Sequence, residues 1–379
     1  MHLRRALATL ASLTLAATVT ALADPASAAA PPPPPSRAVA AALPGVHPTG
    51  QTRRAAHRLY VVAIQDPGAR APVSLATARA SATAAGRIWV AQTRGAIPAF
   101  PVRGARTLVV PGSCRVADPW RFLERVGATA FPGVRFGQGT ANHLVVFRPN
   151  SCPLRWGAGL ASIGAYEHEG GRVLMSTSVP SVLEHELGHN LGLRHTNLAL
   201  PGGRGSHEYL GGYDAMCGDP RPGWLSVADQ LRLAVPGTAR HVRVVRPSAH
   251  RSVVRTTLHG AQTTRGVRGL TFQDPATGSR YVVELRDGRG FDAHALYARG
   301  YGRSSVSSST WYAPGVRVTR IARDGSVDTL SVRSGRTYRT ALGARQTLVG
   351  PGGRFRVHVD ALGRSTARVT LVVAPAHRR

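Results

Sequence analysis

Lysine is absent from this chain of 379 residues, so all 48 basic side chains are arginine; against 19 acidic ones they give a formal net charge of +29. A nucleic-acid surface ordinarily draws on both basic residue types and gathers them on one face. Here the arginines are scattered through turns, strand-like runs and a Pro-rich leader alike, which fits a compositional bias toward Arg and Ala and argues against a specific nucleic-acid partner. A charge this large still favours salt-sensitive contact with anionic cell-wall polymers or other polyanions. Beyond the N-terminus no stretch approaches the ~20 apolar residues of a spanning helix, so no membrane span is expected in the mature chain. Cysteine is scarce, at Cys114, Cys152 and Cys217, and no repeat of fixed period stands out.

What is present is a globular composition, 43% hydrophobic, in a chain long enough for two domains. Arg4 and Arg5 precede an apolar run from Ala6 to Ala23 with small-residue cleavage sites after it, so residues 1–28 read as a secretory signal peptide. Residues 29–56, with Pro31 to Pro35, read as a Pro/Ala-rich linker or short propeptide. The protein is therefore expected to be secreted and extracellular, a compartment in which two of three cysteines pair. Cys114 and Cys152 are the expected disulfide because each follows a strand-like run, Thr107 to Val110 and Leu144 to Phe147. Cys217 is left as a small buried hydrophobe.

The chemistry is concentrated in His185-Glu186-Leu187-Gly188-His189-Asn190-Leu191-Gly192-Leu193-Arg194-His195. Residues four apart on a helix point the same way, so His185 and His189 can reach one metal ion, with Glu186 beside them as a general base. A third ligand cannot come round on the same helix. The chain must turn, and Gly192 is where a positive φ costs least, bringing His195 in from the turn. Ser181-x-x-Glu184 after Pro180 reads as a capping box, and Leu183, Leu187 and Leu191 form a buried stripe opposite the histidines. Three imidazoles with an open fourth position are the ligand set of catalytic Zn2+.

This extended motif, followed by Tyr213-Asp214-Ala215-Met216-Cys217-Gly218, resembles the metzincin zinc endopeptidases, whose further mark is a methionine turn under the metal. The run from Glu208 to Gly218 is similar to that of gametolysin-like and reprolysin-like members. The resemblance covers about residues 57–236. It implies an α/β (α+β) catalytic domain with a mixed sheet and an active-site helix, His185, His189 and His195 as zinc ligands, Glu186 as base, and Met216 as the structural methionine. It also implies an edge strand that aligns the substrate, matched by position at Trp156 to Gly164. Many relatives place a tyrosine just after the methionine; here Cys217, Gly218 and Asp219 follow, leaving Tyr213, or Tyr209, as the possible oxyanion helper. Pro111-Gly112-Ser113-Cys114 also offers a thiolate that could ligate the metal, though Cys114 falls within this domain.

In order along the chain, the patterns predict a strand at Leu59 to Ile64, a helix at Ser74 to Thr93, and a strand at Thr107 to Val110. They continue with a helix at Trp120 to Val126, a strand at His143 to Phe147, and a closing helix at Trp224 to Leu233. His168, between two glutamates, is a loop histidine with some capacity for a second cation. From Val242 onward short alternating runs between Gly turns, such as Tyr281 to Leu285 and Val369 to Val373, predict an all-β, sandwich-like accessory domain over 240–379. The functional expectation is a secreted zinc endopeptidase acting on protein or peptide substrates. Alternatives are a hydrolase of cell-wall peptides, and a non-catalytic polyanion or cell-surface binding protein with a silent zinc site.

Overall fold

A computed structural model describes residues 56–152, 157–199, 205–246, 248–304 and 309–375. The proposed signal and leader, and Trp156 at the head of the expected edge strand, lie outside the described residues. The chain is mixed α/β, with few helices and many strands in several sheets.

The first sheet is built from β1 (Arg58–Gln65), β2 (Val102–Val109), β3 (Asn142–Phe147), β4 (Gly159–Ala161) and β5 (Gly171–Met175) in the order β2-β1-β3-β5-β4. β1, β2, β3 and β5 run parallel, while β4 runs antiparallel to β5 at the edge. Near-continuous apolar runs such as Leu59 to Ile64 suit central parallel strands, which are covered on both faces. One face carries Leu59, Val61, Val145, Phe147 and Val173 against helices α1 (Leu75–Gln92) and α3 (Pro180–Asn190). The alternate residues Val62, Ile64, Leu144, Val146 and Leu174 pack on Phe122, Leu123 and Val126 of α2 (Pro119–Ala130). Ser74 caps α1 by accepting from the Thr77 amide, and Asp118 caps α2 with Pro119 in its first turn, so both helix starts follow local chemistry.

The chain continues as β6 (Thr196–Ala199), β7 (Ser206–His207), α4 (Val227–Arg232), β8 (Val242–Val245), β9 (Ser252–His259), β10 (Gly269–Gln273) and β11 (Arg280–Arg286). Then come β12 (Tyr301–Ser304), β13 (Ser309–Tyr312), β14 (Gly315–Ile321), β15 (Val327–Thr329), β16 (Val332–Ser334), β17 (Thr337–Arg339), β18 (Thr347–Val349), β19 (Phe355–Leu362) and β20 (Thr366–Val373). A seven-stranded sheet, β7-β6-β15-β14-β11-β10-β8, faces a four-stranded sheet, β18-β19-β20-β9, across a shared core that includes Phe272, Val283, Val318, Phe355, Val357 and Leu371. β6 and β7, which precede residue 236, thus complete a sheet whose other strands follow it. A smaller sheet, β12-β13-β17-β16, stands beside them in the chain order.

Cys114 and Cys152 are joined by a disulfide, and the buried Arg148 guanidinium donates to the carbonyls of Ser113 (2.8 Å) and Cys152 (3.1 Å) on its two sides. Cys217 is free and buried, with its thiol donating to the Asp214 carbonyl; burial pushes its pKa up. No helix among the described residues is long and apolar enough to cross a membrane.

Behind α3 lies a buried polar chain. His57 Nδ1–H donates to His143 Nε2 (2.7 Å), His143 Nδ1–H to Asn190 Oδ1 (3.0 Å), and Asn190 Nδ2 to the Ser162 carbonyl (2.8 Å). Burial lowers the His143 pKa to about 4 and that of His57 well below its ordinary value. The unfolded chain takes up protons as pH falls through 6.5 while folded His143 does not until about 4, so this contribution to stability is complete above 6.5 and is lost across that window. For His143 alone the loss is on the order of 3 kcal/mol. Denaturant unfolding from pH 7 to pH 4 should therefore show a smaller decline for His143→Gln than for the wild type, and identical declines would exclude His143 as a source.

Candidate metal centre

α3 begins differently from the capping box its sequence offers. Val179 occupies the cap position with no side-chain hydrogen bond, and Pro180 sits in the first turn. Glu184 is unavailable for capping because it is buried, accepting from Gln92 Nε2 at 2.7 Å, and its backbone carbonyl accepts from the Trp89 indole. Burial raises its pKa to about 8. Leu183, Leu187 and Leu191 are fully packed in the core shared with α1, so the helix is held along its apolar stripe. Its C-terminus closes with two bonds, Gly192 N–H to His189 O (2.9 Å) and Leu193 N–H to Gly188 O (2.9 Å), with Gly192 at φ +90°. That double bond with a left-handed glycine is the Schellman ending.

The turn brings His195 to the two helical histidines, and one donor atom from each of His185, His189 and His195 lies within 4.8 Å of the others. The outer nitrogen of each ring is occupied. His185 Nδ1–H donates to the Ala215 carbonyl (2.8 Å), His189 Nδ1–H to the Leu193 carbonyl (3.0 Å), and His195 Nδ1 pairs with the Glu208 carboxylate at 2.5 Å. A carbonyl oxygen cannot donate, so for His185 and His189 the proton must reside on Nδ1 and the lone pair on Nε2. The Nε2 atoms of His189 and His195 face each other at 3.0 Å. Burial lowers the His185 pKa to about 4, and that of His189 well below its usual value, with the neighbouring histidines adding to both. Ring nitrogens converging on one point, those of His185 and His189 unprotonated and each ring held by an acceptor behind it, fit a divalent metal ion. Among the described residues this trio is the one group of His, Cys, Asp and Glu side chains close enough to hold a metal. His168 stands apart from it, stacked on Tyr166.

Glu186 is buried, and burial raises its pKa to about 8. It packs against edge strand β4: a Cβ built on Gly159 would lie 2.4 Å from Glu186 Oε1. Met216 is fully buried beneath α3, where a Cβ on Gly188 would lie 2.4 Å from the Met216 sulfur. The turn carrying Met216 is tied to the strand after His195, because the Thr196 amide donates to the Met216 carbonyl (2.8 Å). Asp214 Oδ1 accepts from both Thr196 Oγ1 (2.8 Å) and the Met216 amide (3.2 Å).

The two tyrosines part company. Tyr213 is not brought to the histidines: it is buried, and its hydroxyl is committed to the Ala313 carbonyl (3.0 Å) and Thr340 Oγ1 (2.9 Å). Its neighbour's carboxylate, that of Asp214, faces the methionine turn instead. Tyr209 is at the site, with its ring 4.1 Å from that of His195 and 5.7 Å from that of His185. It holds φ +63°, rare for a bulky residue, secured by its amide on Asn197 Oδ1 and its carbonyl on the Gly218 amide. Gly159 and Glu208 gained no role from the sequence. An isolated glycine in a strand does mark close approach, but nothing in the sequence says that the approaching group is Glu186.

The chain matches no protein-family model, and no curated protein matches it in sequence.

Glycine to alanine inside a helix ordinarily gains about 1 kcal/mol. At Gly188 the added methyl meets the Met216 sulfur and the Trp89 ring, and overpacking of this kind costs about 1–3 kcal/mol. Gly188→Ala should thus lower the denaturant midpoint and weaken metal retention together; a stabilised variant would show that Met216 does not press on the helix.

Proposed function

We propose that the protein is a secreted zinc-dependent endopeptidase of the metzincin type. The observation that carries this reading is the pairing of a metal-ready histidine trio with a buried carboxylate, Glu186, that lies against a free sheet edge. Zinc fits the trio, since three imidazoles with no fourth protein ligand beside them among the described residues are the donor set of a catalytic site. When bound there, zinc polarises a carbonyl group and brings the pKa of a water near neutrality.

The chain's own residues supply the rest. Among the described residues no strand pairs with the outer edge of β4, and its backbone N–H and C=O groups there can take an extended peptide as a further antiparallel strand. Gly159 has no side chain, so the Glu186 carboxylate lies directly against the strand to which such a peptide would add. Burial keeps the proton affinity of Glu186 high, the direction a general base needs to take a proton from water and hand it to the leaving amine. Glu208 fixes the His195 ring from behind, and the Tyr209 ring covers one side of it.

Export is supported by the signal-like N-terminus, the disulfide and the Arg-rich composition, which suits anionic cell-surface polymers. The same charge favours a second reading in which the peptide bonds cut are those of cell-wall peptides. A silent zinc site in a binding protein has less support, because a structural site closes with a fourth ligand and needs no buried carboxylate next to it.

Glu186→Gln separates binding from chemistry. Zinc should stay near one per chain while casein hydrolysis falls by at least 10²- to 10⁴-fold, the usual contribution of a general base; His189→Ala should lose both. Near wild-type cleavage by a zinc-loaded Glu186→Gln protein would refute the mechanism, and a wild type that holds no zinc would refute the reading as a whole.

A further inference from the structure

The third histidine differs from the other two in what holds it. His185 and His189 ride on a helix packed into the first sheet, whereas His195 leads directly into β6, a strand of the seven-stranded sheet. β6 pairs in parallel with β15, matching Thr196 with Val327, Asn197 with Asp328 and Leu198 with Thr329. The backbone carbonyl of His195 itself accepts from the Val327 amide at 3.0 Å. The ligand therefore sits at the end of a strand whose partner comes from the C-terminal part of the chain.

A second connection runs through side chains. Arg317 on β14 is fully buried. Its Nη1 reaches Asp214 Oδ2 at 3.4 Å and Glu284 Oε1 at 3.3 Å, and its Nε donates to Thr329 Oγ1 at 3.2 Å. Thr329 Oγ1 in turn donates to the Gly211 carbonyl at 3.3 Å. Asp214 uses its other oxygen for Thr196 Oγ1 and the Met216 amide. One guanidinium thus braces the carboxylate that clamps the residue after His195 to the methionine turn under the metal site. Arg286 reinforces the same turn, donating to the carbonyls of Tyr213 (3.1 Å) and Trp224 (2.7 Å).

We propose that Arg317, acting through Asp214, is a positioning residue for the metal centre, and that the C-terminal sheet sets metal affinity by fixing His195. The inference rests on the metal-site reading above. A buried guanidinium with two carboxylates is poor evidence of a stability role, since a well-packed apolar group often replaces such a pair at no loss. What it supplies here is a single position for Asp214. Partners of this kind behind the ligands typically account for 10- to 100-fold in metal affinity.

The test uses the full-length protein and reads metal binding without reference to hydrolysis. Zn2+ affinity is measured by competition with a chromophoric chelator, and the ligand field by the visible spectrum of the Co2+-substituted protein. Arg317→Met is made together with Glu284→Gln, so that less buried negative charge is left unpaired, and is expected to weaken Zn2+ binding 10- to 100-fold and to shift the Co2+ bands. Arg317→Lys, which keeps the charge, should recover part of both. Arg268→Met is the control: this buried arginine just before β10 of the same sheet bonds to Gln230 and Ala261 and not to the methionine turn, so stability should fall with metal affinity and spectrum unchanged. Should the Arg317 variants fail to fold, Thr196→Val breaks the Asp214 link to the ligand-bearing strand without touching a charge and should weaken Zn2+ binding about tenfold. Wild-type affinity and spectrum in a folded Arg317 or Thr196 variant, or an equal loss in Arg268→Met, would overturn the proposal. A wild type that takes up no Co2+ would remove the metal reading and this inference with it.

Discussion

Three imidazoles turned inward toward one point, two of them with lone pairs on Nε2, are an unfavourable arrangement unless something holds each ring from behind. Here the Ala215 and Leu193 carbonyls and the Glu208 carboxylate do so. Each of these acceptors depends on a different stretch of chain: the methionine turn, the Schellman ending of α3, and the loop before Tyr209. The position of the Met216 segment is therefore not incidental to the site, because the neighbouring Ala215 carbonyl fixes the tautomer of His185. Met216 itself fills the space under Gly188, between the two helical ligands. His185 and His189 are buried polar groups satisfied by backbone carbonyls, and that is what makes the low proton affinity of their inner nitrogens tolerable.

Much of the N-terminal half is legible in the sequence because its determinants are local. The spacing of His185, His189 and His195, the left-handed Gly192, and the stripe of Leu183, Leu187 and Leu191 all act within one helix and one turn, and β1, α1, α2 and β3 fall where hydrophobic runs and caps place them. The failures are instructive for the same reason. Ser181 and Glu184 have the spacing of a capping box, but Gln92 and Trp89 of α1 claim Glu184, and tertiary burial overrides a local preference worth about 1 kcal/mol. Tyr213 and Tyr209 are both near the motif in sequence. Only backbone geometry, φ +63° at Tyr209 and a Tyr213 hydroxyl bonded to Ala313, decides which one meets the histidines.

The arginines show a different limit. A composition with 48 arginines and no lysine reads as bias, and at the level of composition that reading hides position. Arg148, Arg268, Arg286 and Arg317 are all at most 2% exposed, and each serves backbone carbonyls or carboxylates that lysine, with three donors on a point charge, could not serve in the same fork. Arg286 shows this most fully, since Asp292, Glu284 and the carbonyls of Tyr213 and Trp224 surround it. Nothing in the pattern around these residues distinguishes them from arginines on the surface, because burial of a position in or next to a strand depends on which strands pair.

The pairing of β6 with β15 has a consequence for how the site forms. Local contacts can close α3 and its terminal turn early, since those bonds span five residues or fewer, and the backbone of two of the three histidines is then in place. The third waits for a parallel pairing between Thr196 and Val327, and contacts so distant in sequence are reached only after loop-closure entropy has been overcome. Metal bound before that step would meet two imidazoles and solvent. Once β15 and Arg317 are docked it meets three. A metal-competent site is thus coupled to completion of the C-terminal sheet, which means that a chain interrupted or cleaved within that sheet would keep the motif intact and still lack the third ligand's anchor.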